Sequence, residues 1–395
     1  MISVLFAAIA TILSIFGTYI DLYVGREVYE YVISLVFISV AVAFVSALLQ
    51  GLQLVHLSGA LTPIRVSSRS LFQVALVALG LGLSGLLVGY IMGGLAALAV
   101  GSYFVHKRID MSIPSVDHFR RLAEFAKYAW IERVGSRGFN WIDITILGLF
   151  VPSNLVGIYS IAWNISTFLA LFGNSIQITV FPEISNLFEN GQEKAAKDLF
   201  NDSLKYSGLL AIPGFVGGLL IGEEILAIFG QEFRAGHSVL VLLIGTYLVF
   251  SYQRQFKSLL DAVDRPDITF RIVAIFLGLN VLLNLILIVE FGLVGAAVAT
   301  FMSTLLSGIH AYVEAIRLVE FEFPLLITVK QCFSAGVMGI ILFVIQTTLH
   351  LPSFSFPEIR TLVLVAFGAA LYFGVLIMVS GDFRRTVVEN LFDHI

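Results

Sequence analysis

Of 395 residues, 58% are hydrophobic and 13% charged, and the net charge at pH 7 is −4. A mean hydropathy of +0.95 lies outside the range of water-soluble domains and within that of polytopic membrane proteins. This balance argues against aqueous catalysis and against a nucleic-acid partner, and the single Cys332 excludes internal disulfides.

Taken in chain order, apolar segments long enough to cross a bilayer are predicted at 2–19, 31–52, 70–83, 87–104, 122–150, 156–180, 206–221, 239–255, 270–289, 293–316, 332–350 and 361–380. None alternates with period two, and backbone amides in hydrocarbon must be satisfied within their own segment, so the segments are helices. The expected fold is an all-α integral membrane protein of about twelve transmembrane helices. The first segment is not a signal peptide, since no Lys or Arg precedes Arg26.

The basic residues set the orientation. Of 23 Lys and Arg, seventeen fall on the even-numbered connections and the C-terminus, from Arg65 to Arg385. Arg26, Arg234 and Arg360 fall on the odd ones, and Lys127, Arg133 and Arg137 lie within a span. The positive-inside rule then puts both termini in the cytoplasm. The expected location is the cell (plasma or inner) membrane.

A repeat runs twice in the same direction. Gly82-Leu83-Ser84-Gly85 matches Gly292-Leu293-Val294-Gly295 at a tight outer hairpin, and Ser46 to Gln50 resembles Ser258 to Asp261 one span earlier. From Leu49 to Gly82 is 33 residues and from Leu260 to Gly292 is 32. Two parallel-repeat lobes follow, 1–105 with four spans and 122–316 with six, joined by a cytoplasmic linker at 106–121. Two further spans and a tail occupy 317–395. By this count the first lobe is shorter than the second by about two N-terminal helices.

The span 122–150 alone carries several charges. On a helix, Glu132, Arg133, Ser136, Arg137, Asn140 and Asp143 fall within an arc of roughly 160°. Charges at such depth are costly against lipid, so this face looks into a bundle interior or a water-filled cavity. Two readings are open, a compensated network of Arg133 and Arg137 with Glu132 and Asp143, or a substrate cavity. Guanidinium forks suit pyrophosphate, which favours the cavity.

Other intramembrane polar groups give softer signals. Asn164 and Asn174 could line the same cavity or bond between helices, and for Asn280 and Asn284, at i, i+4, interhelical hydrogen bonding is favoured. Arg254 and Lys257 read as side chains snorkelling to the interface, Pro213 as a kink, and His310 as a satisfied buried histidine rather than a proton site. The connection 182–205 reads as an interfacial helix on the inner leaflet. No Walker A loop, His-Glu-x-x-His, paired Cys motif or Gly-x-Ser-x-Gly elbow occurs, so transport is favoured over enzymatic chemistry and no cofactor is expected.

Three motifs carry a family resemblance. Gly278 to Ile288 followed by Phe291 to Thr300, Trp141 to Phe150 followed by Val156 to Ala162, and Val180 to Ser185 together resemble the polysaccharide-repeat-unit (O-antigen and oligosaccharide) flippases of the multidrug/oligosaccharidyl-lipid/polysaccharide exporter superfamily. The likeness runs from about Leu48 to the end. Members usually begin with two further helices bearing the counterpart of Val156 to Ala162. The resemblance implies two lobes around a central cationic cavity that opens to each side in turn. Its substrate would be an oligosaccharide on a polyprenyl phosphate or pyrophosphate, with membrane lipid around it, a coupling ion (H+ or Na+) and glycosyltransferase or polymerase partners. On this resemblance Arg133 and Arg137 are phosphate ligands, Asp143 their orienting partner, and Asn140 and Asn164 sugar or water contacts. A cation-coupled drug exporter and a non-transporting scaffold for glycan assembly are the alternatives.

Overall fold

The computed structural model describes residues 28–108, 142–348, 357–381 and 383–385. The first predicted span and the positions of Arg133, Arg137 and Asn140 lie outside the described residues. The chain divides into two compact units, Met1–Ile131 and Glu132–Ile395.

In the first unit, α1 (Tyr29–Gly51), α2 (Val55–Ala78) and α3 (Gly82–His106) pack together, with α3 against both of the others. The core is small: Val45, Leu49, Leu61 and Val105. Most of the closeness comes from glycine. A Cβ at Gly89 would lie 2.7 Å from the Gln73 backbone nitrogen, and one at Gly93 would lie 2.7 Å from that of Arg69. The small residues therefore let α2 and α3 touch through their main chains. The helix α2 begins fifteen residues before the predicted span at 70–83, because Arg65, Arg69 and Pro63 depress the local hydropathy without ending the helix.

The second unit opens with α4, described over 142–150, then α5 (Ser153–Glu189), α6 (Glu193–Ser207), α7 (Ala211–Ala227), the short 3-10 helix Gln231–Gly236, α8 (His237–Ala262), α9 (Pro266–Leu318), α10 (Leu325–Thr348) and α11 (Pro357–Val379). Helix α8 is the hub, packed against α5, α7 and α9. The 53 residues of α9 would extend about 80 Å, more than twice the hydrocarbon thickness, so α9 is two spans in one assignment. They part at Gly292, whose φ of 54° and ψ of −126° reverse the chain. Among the described residues, eight helices are long and apolar enough to cross a membrane, and no strand is present. The protein is an all-α membrane protein, and its surface agrees. Leu71 (69% exposed), Phe270 (73%) and Met378 (84%) face outward, an apolar skin that suits lipid rather than water.

Two local expectations are corrected. Pro213 does not kink its helix: it sits in the first turn of α7, where its missing N–H costs nothing, and the break comes at Ile221 instead. The connection 182–205 is not one leaflet-bound helix. Pro182 is absorbed into α5, and α6 turns its apolar face inward, with Ala196, Phe200 and Leu204 fully buried against Phe256, Leu259 and Leu260 of α8. Burying Phe200 and Leu204 in protein stabilises that face by about 1.5–3 kcal/mol each.

Candidate functional site

Asn280 and Asn284 are one turn apart and share a face of α9; both are fully buried. The reversal at Gly292 brings Thr300 back beside them, where Asn280 Nδ2 donates to Thr300 Oγ1 at 3.2 Å. Asp143 of α4 enters from a third side. Its Oδ1 accepts from Asn284 Nδ2 at 2.7 Å, and its Oδ2 from Thr300 Oγ1 at 2.6 Å and Tyr159 Oη of α5 at 3.3 Å. The second amide hydrogen of Asn284 goes to Asn280 Oδ1 at 3.0 Å.

This cluster is closed to solvent, with Asp143 only 4% exposed. Three donors offset the cost of removing its carboxylate from water. One acceptor is left over: Asn284 Oδ1 is buried without a hydrogen-bond partner among the described residues. The acceptors gathered in this dry site, the Asp143 carboxylate, Thr300 Oγ1, Asn280 Oδ1 and Asn284 Oδ1, are all oxygens. Such a set suits a hard cation or a proton and not a soft transition metal. Among the described residues no group of three or more His, Cys, Asp and Glu could hold a metal.

Away from the Gly292 turn, the same helices part to form a cleft of about 140 Å³. Thr300 belongs to both features. The walls are Trp163 and Thr167 of α5, Tyr247 and Phe250 of α8, and Phe276 and Thr304 of α9, and Asn174 and Arg254 lie at the far end. The rings form a chain from the cluster to the arginine. Tyr159 stacks on Trp163 at 6.2 Å, Trp163 meets Tyr247 edge-on at 5.6 Å, Tyr247 meets Phe250 at 6.1 Å, and the Arg254 guanidinium lies 4.8 Å over Phe250. Thr167 Oγ1 and Tyr247 Oη are 2.8 Å apart and Arg254 donates to Asn174 Oδ1, which fixes the two rims.

The sequence-derived residues are distributed as follows. Asp143 is at the centre of the cluster, bonded to Tyr159, Asn284 and Thr300. Asn164 is on an exposed part of α5, and its neighbours Trp163 and Thr167 face the cleft instead. Asn280 and Asn284 do bond between helices, but in doing so they enclose a carboxylate. Arg254 does not snorkel to the near end of its helix. It points back one turn, over Phe250, as helical side chains lean toward the N-terminus. Tyr159, Trp163, Tyr247 and Thr300 escaped notice as site residues. A lone aromatic or threonine in an apolar span carries no local signal, and Thr300 meets Asp143 across 157 positions of chain.

The family described as "Lipid II flippase MurJ" matches residues 1–367. The chain is 35% identical over 325 residues to the probable flippase AglR of Haloferax volcanii, covering 82% of this chain and 67% of that one. It is 30% identical over 323 residues to the probable low-salt glycan biosynthesis flippase Agl15 of the same organism, covering 80% and 66%. The chain thus spans about two thirds of the length of these relatives. In fold it is similar to a solved structure of the lipid II flippase MurJ in an inward closed conformation, with a TM-score of 0.76 at 15% identity, over 98% of this chain and 82% of that one.

Proposed function

The chain belongs to the MurJ lipid II flippase family, and from that premise we propose that it carries a polyprenyl phosphate- or pyrophosphate-linked oligosaccharide from the inner to the outer leaflet by alternating access, coupled to a cation. The two Haloferax relatives, one of them named for glycan biosynthesis, support a lipid-linked glycan as the substrate class.

The observation that carries the reading is the enclosed Asp143 cluster with its unpartnered amide oxygen. A carboxylate set among two amides and two hydroxyls inside membrane-spanning helices is expensive, and such groups mark ion or proton paths. A hard cation bound there would satisfy Asn284 Oδ1 and neutralise the carboxylate, and its passage down its own gradient would supply the driving force. Arg133, Arg137 and Asn140 precede Asp143 on the same stretch of sequence, and in this reading the arginines bind the phosphates while Asn140 and Asn164 contact sugar or water. An exporter of cationic drugs would need an acidic face open to its substrate. Here the acid is enclosed and the open cleft shows an arginine, which favours an anionic cargo. In the same reading both termini are cytoplasmic and glycosyltransferases or polymerases act on either side of the step.

The test is reconstitution of the full chain in vesicles holding a fluorescent polyprenyl pyrophosphate-linked oligosaccharide. Protein-dependent exposure of the sugar on the opposite leaflet, accelerated by a Na+ or proton gradient, is the expected result. Exposure no faster than in protein-free vesicles, with or without a gradient, overturns it.

A further inference from the structure

Arg254 is an unusual cation. Among the described residues its contacts are an amide oxygen of Asn174 and the face of Phe250, and it has no carboxylate within ion-pair distance. Lys257, one turn on, places its ammonium 5.4 Å from the same ring. Two positive charges therefore flank one phenyl ring, on a helix that spans the membrane. Asp261 lies close enough to act on Lys257, but among the described residues no carboxylate pairs with the guanidinium, a costly arrangement that a bound anion relieves.

The cleft fits a particular anion. From Tyr247 to Arg254 is seven residues of helix, or about 10 Å, and along that distance the wall carries aromatic rings and threonine hydroxyls from the same three helices. Flat rings receive the apolar face of a sugar, while the hydroxyl oxygens of Thr167 and Thr246, whose protons go to backbone carbonyls, can accept from its rim. Free phosphate would need no aromatic wall. An ordinary phospholipid headgroup would need no ring-sized recess.

We propose that this cleft is the headgroup seat for the transported lipid: Arg254, assisted by Lys257, holds the phosphate next to the sugar, and Trp163 and Tyr247 hold the first sugar ring. The inference rests on the function proposed above and deepens it, by placing recognition in the second unit by itself.

Binding to the purified full chain can be measured with three radiolabelled lipids: polyprenyl phosphate, polyprenyl phosphate bearing one hexose, and phosphatidylglycerol. The parent is expected to bind the two polyprenyl lipids and to be indifferent to phosphatidylglycerol. Arg254→Gln keeps a donor for Asn174, so the helix pair survives, yet it should weaken both polyprenyl lipids roughly ten- to hundredfold. Arg254→Lys should recover part of that loss. Trp163→Ala should weaken only the hexose-bearing lipid, by roughly fivefold. Parental affinity in Arg254→Gln, equal loss of both lipids in Trp163→Ala, or phosphatidylglycerol competing as well as the glycosylated lipid each overturns the proposal. The flipping assay separates the two readings. If the parent flips its substrate and Arg254→Gln binds and flips equally well, the seat is wrong and the function stands. If the parent flips nothing and binds none of the polyprenyl lipids, both fall.

Discussion

In the first unit the chain turns at Gly82 with φ of 51°; in the second it turns at Gly292 with φ of 54°. Sliding the second hairpin back by 211 positions before the turn and 210 after it sets Asn280 on Arg69, Asn284 on Gln73 and Thr300 on Tyr90. The paired side chains again meet one another. Arg69 lies 4.8 Å over the ring of Tyr90, and Gln73 donates to the carbonyl of Leu86 at 2.8 Å. Leu86 is the counterpart of Ala296, whose carbonyl lies 3.0 Å from Thr300 Oγ1. One backbone frame thus presents a guanidinium in one unit and an amide and hydroxyl set around a carboxylate in the other. Among the described residues each leaves an atom without a partner, Arg69 Nε in the first and Asn284 Oδ1 in the second, a donor in one case and an acceptor in the other. The charge of such a seat is decided by three side chains on a common hairpin, and the fold itself is indifferent to it.

Four perturbations test that comparison, in order of expected size. Asp143→Ala strands three donors in a dry site and should destabilise the second unit by about 3 kcal/mol or more, with loss of any cation-dependent rise in melting temperature. Asp143→Asn should cost about 1–2 kcal/mol and still abolish the cation effect, and a preserved cation effect in Asp143→Asn would remove the carboxylate from the coupling scheme. Next, Gly295→Ala drives a methyl group into the Leu287 carbonyl and should cost about 3 kcal/mol, whereas at its counterpart Gly85 the methyl would meet Leu81 Cβ at 3.0 Å and should cost about 1 kcal/mol. Equal losses in denaturation of the two variants would break the asymmetry of packing. Gly82→Ala and Gly292→Ala have open space around them, so only the left-handed backbone is penalised, by about 1–2 kcal/mol in each. These two should shift melting by the same amount. Smallest is Arg69→Gln, which removes a cation–π contact of about 0.5–1 kcal/mol while also removing the orphaned Nε, so stability should scarcely change. A transport defect in that variant without a stability defect would give the first-unit seat a role of its own.

How far the sequence reveals these features depends on the range of the interaction. Helical spans and the two glycine turns are local, set by composition over about twenty residues and by a backbone that only glycine adopts cheaply, so the spans and the pairing of Gly82 with Gly292 are readable directly. The start of α2 is hidden because Arg65 and Arg69 look like the end of a membrane segment, although helix propensity does not stop at a charge. Asn280 and Asn284 are visible as a polar pair, but their purpose depends on Asp143, which reaches them over 141 positions. The direction of Arg254 is likewise a tertiary fact. A cation near a helix end reads as snorkelling until Phe250 and Asn174 are seen to face it.

Gly85, Gly89, Gly93 and Gly101 on α3 remain to be considered as mechanics. Helices that meet through long side chains slide by exchanging rotamers, each exchange small and nearly free. Along α3 there is little to exchange, because main chain lies on main chain against α2 and the Gly101 position is filled by Val45 of α1. The seam is therefore stiff, and the pair behaves as a strut. A displacement imposed near Arg65 arrives at the Gly82 turn, about 20 Å along α2, without being absorbed on the way.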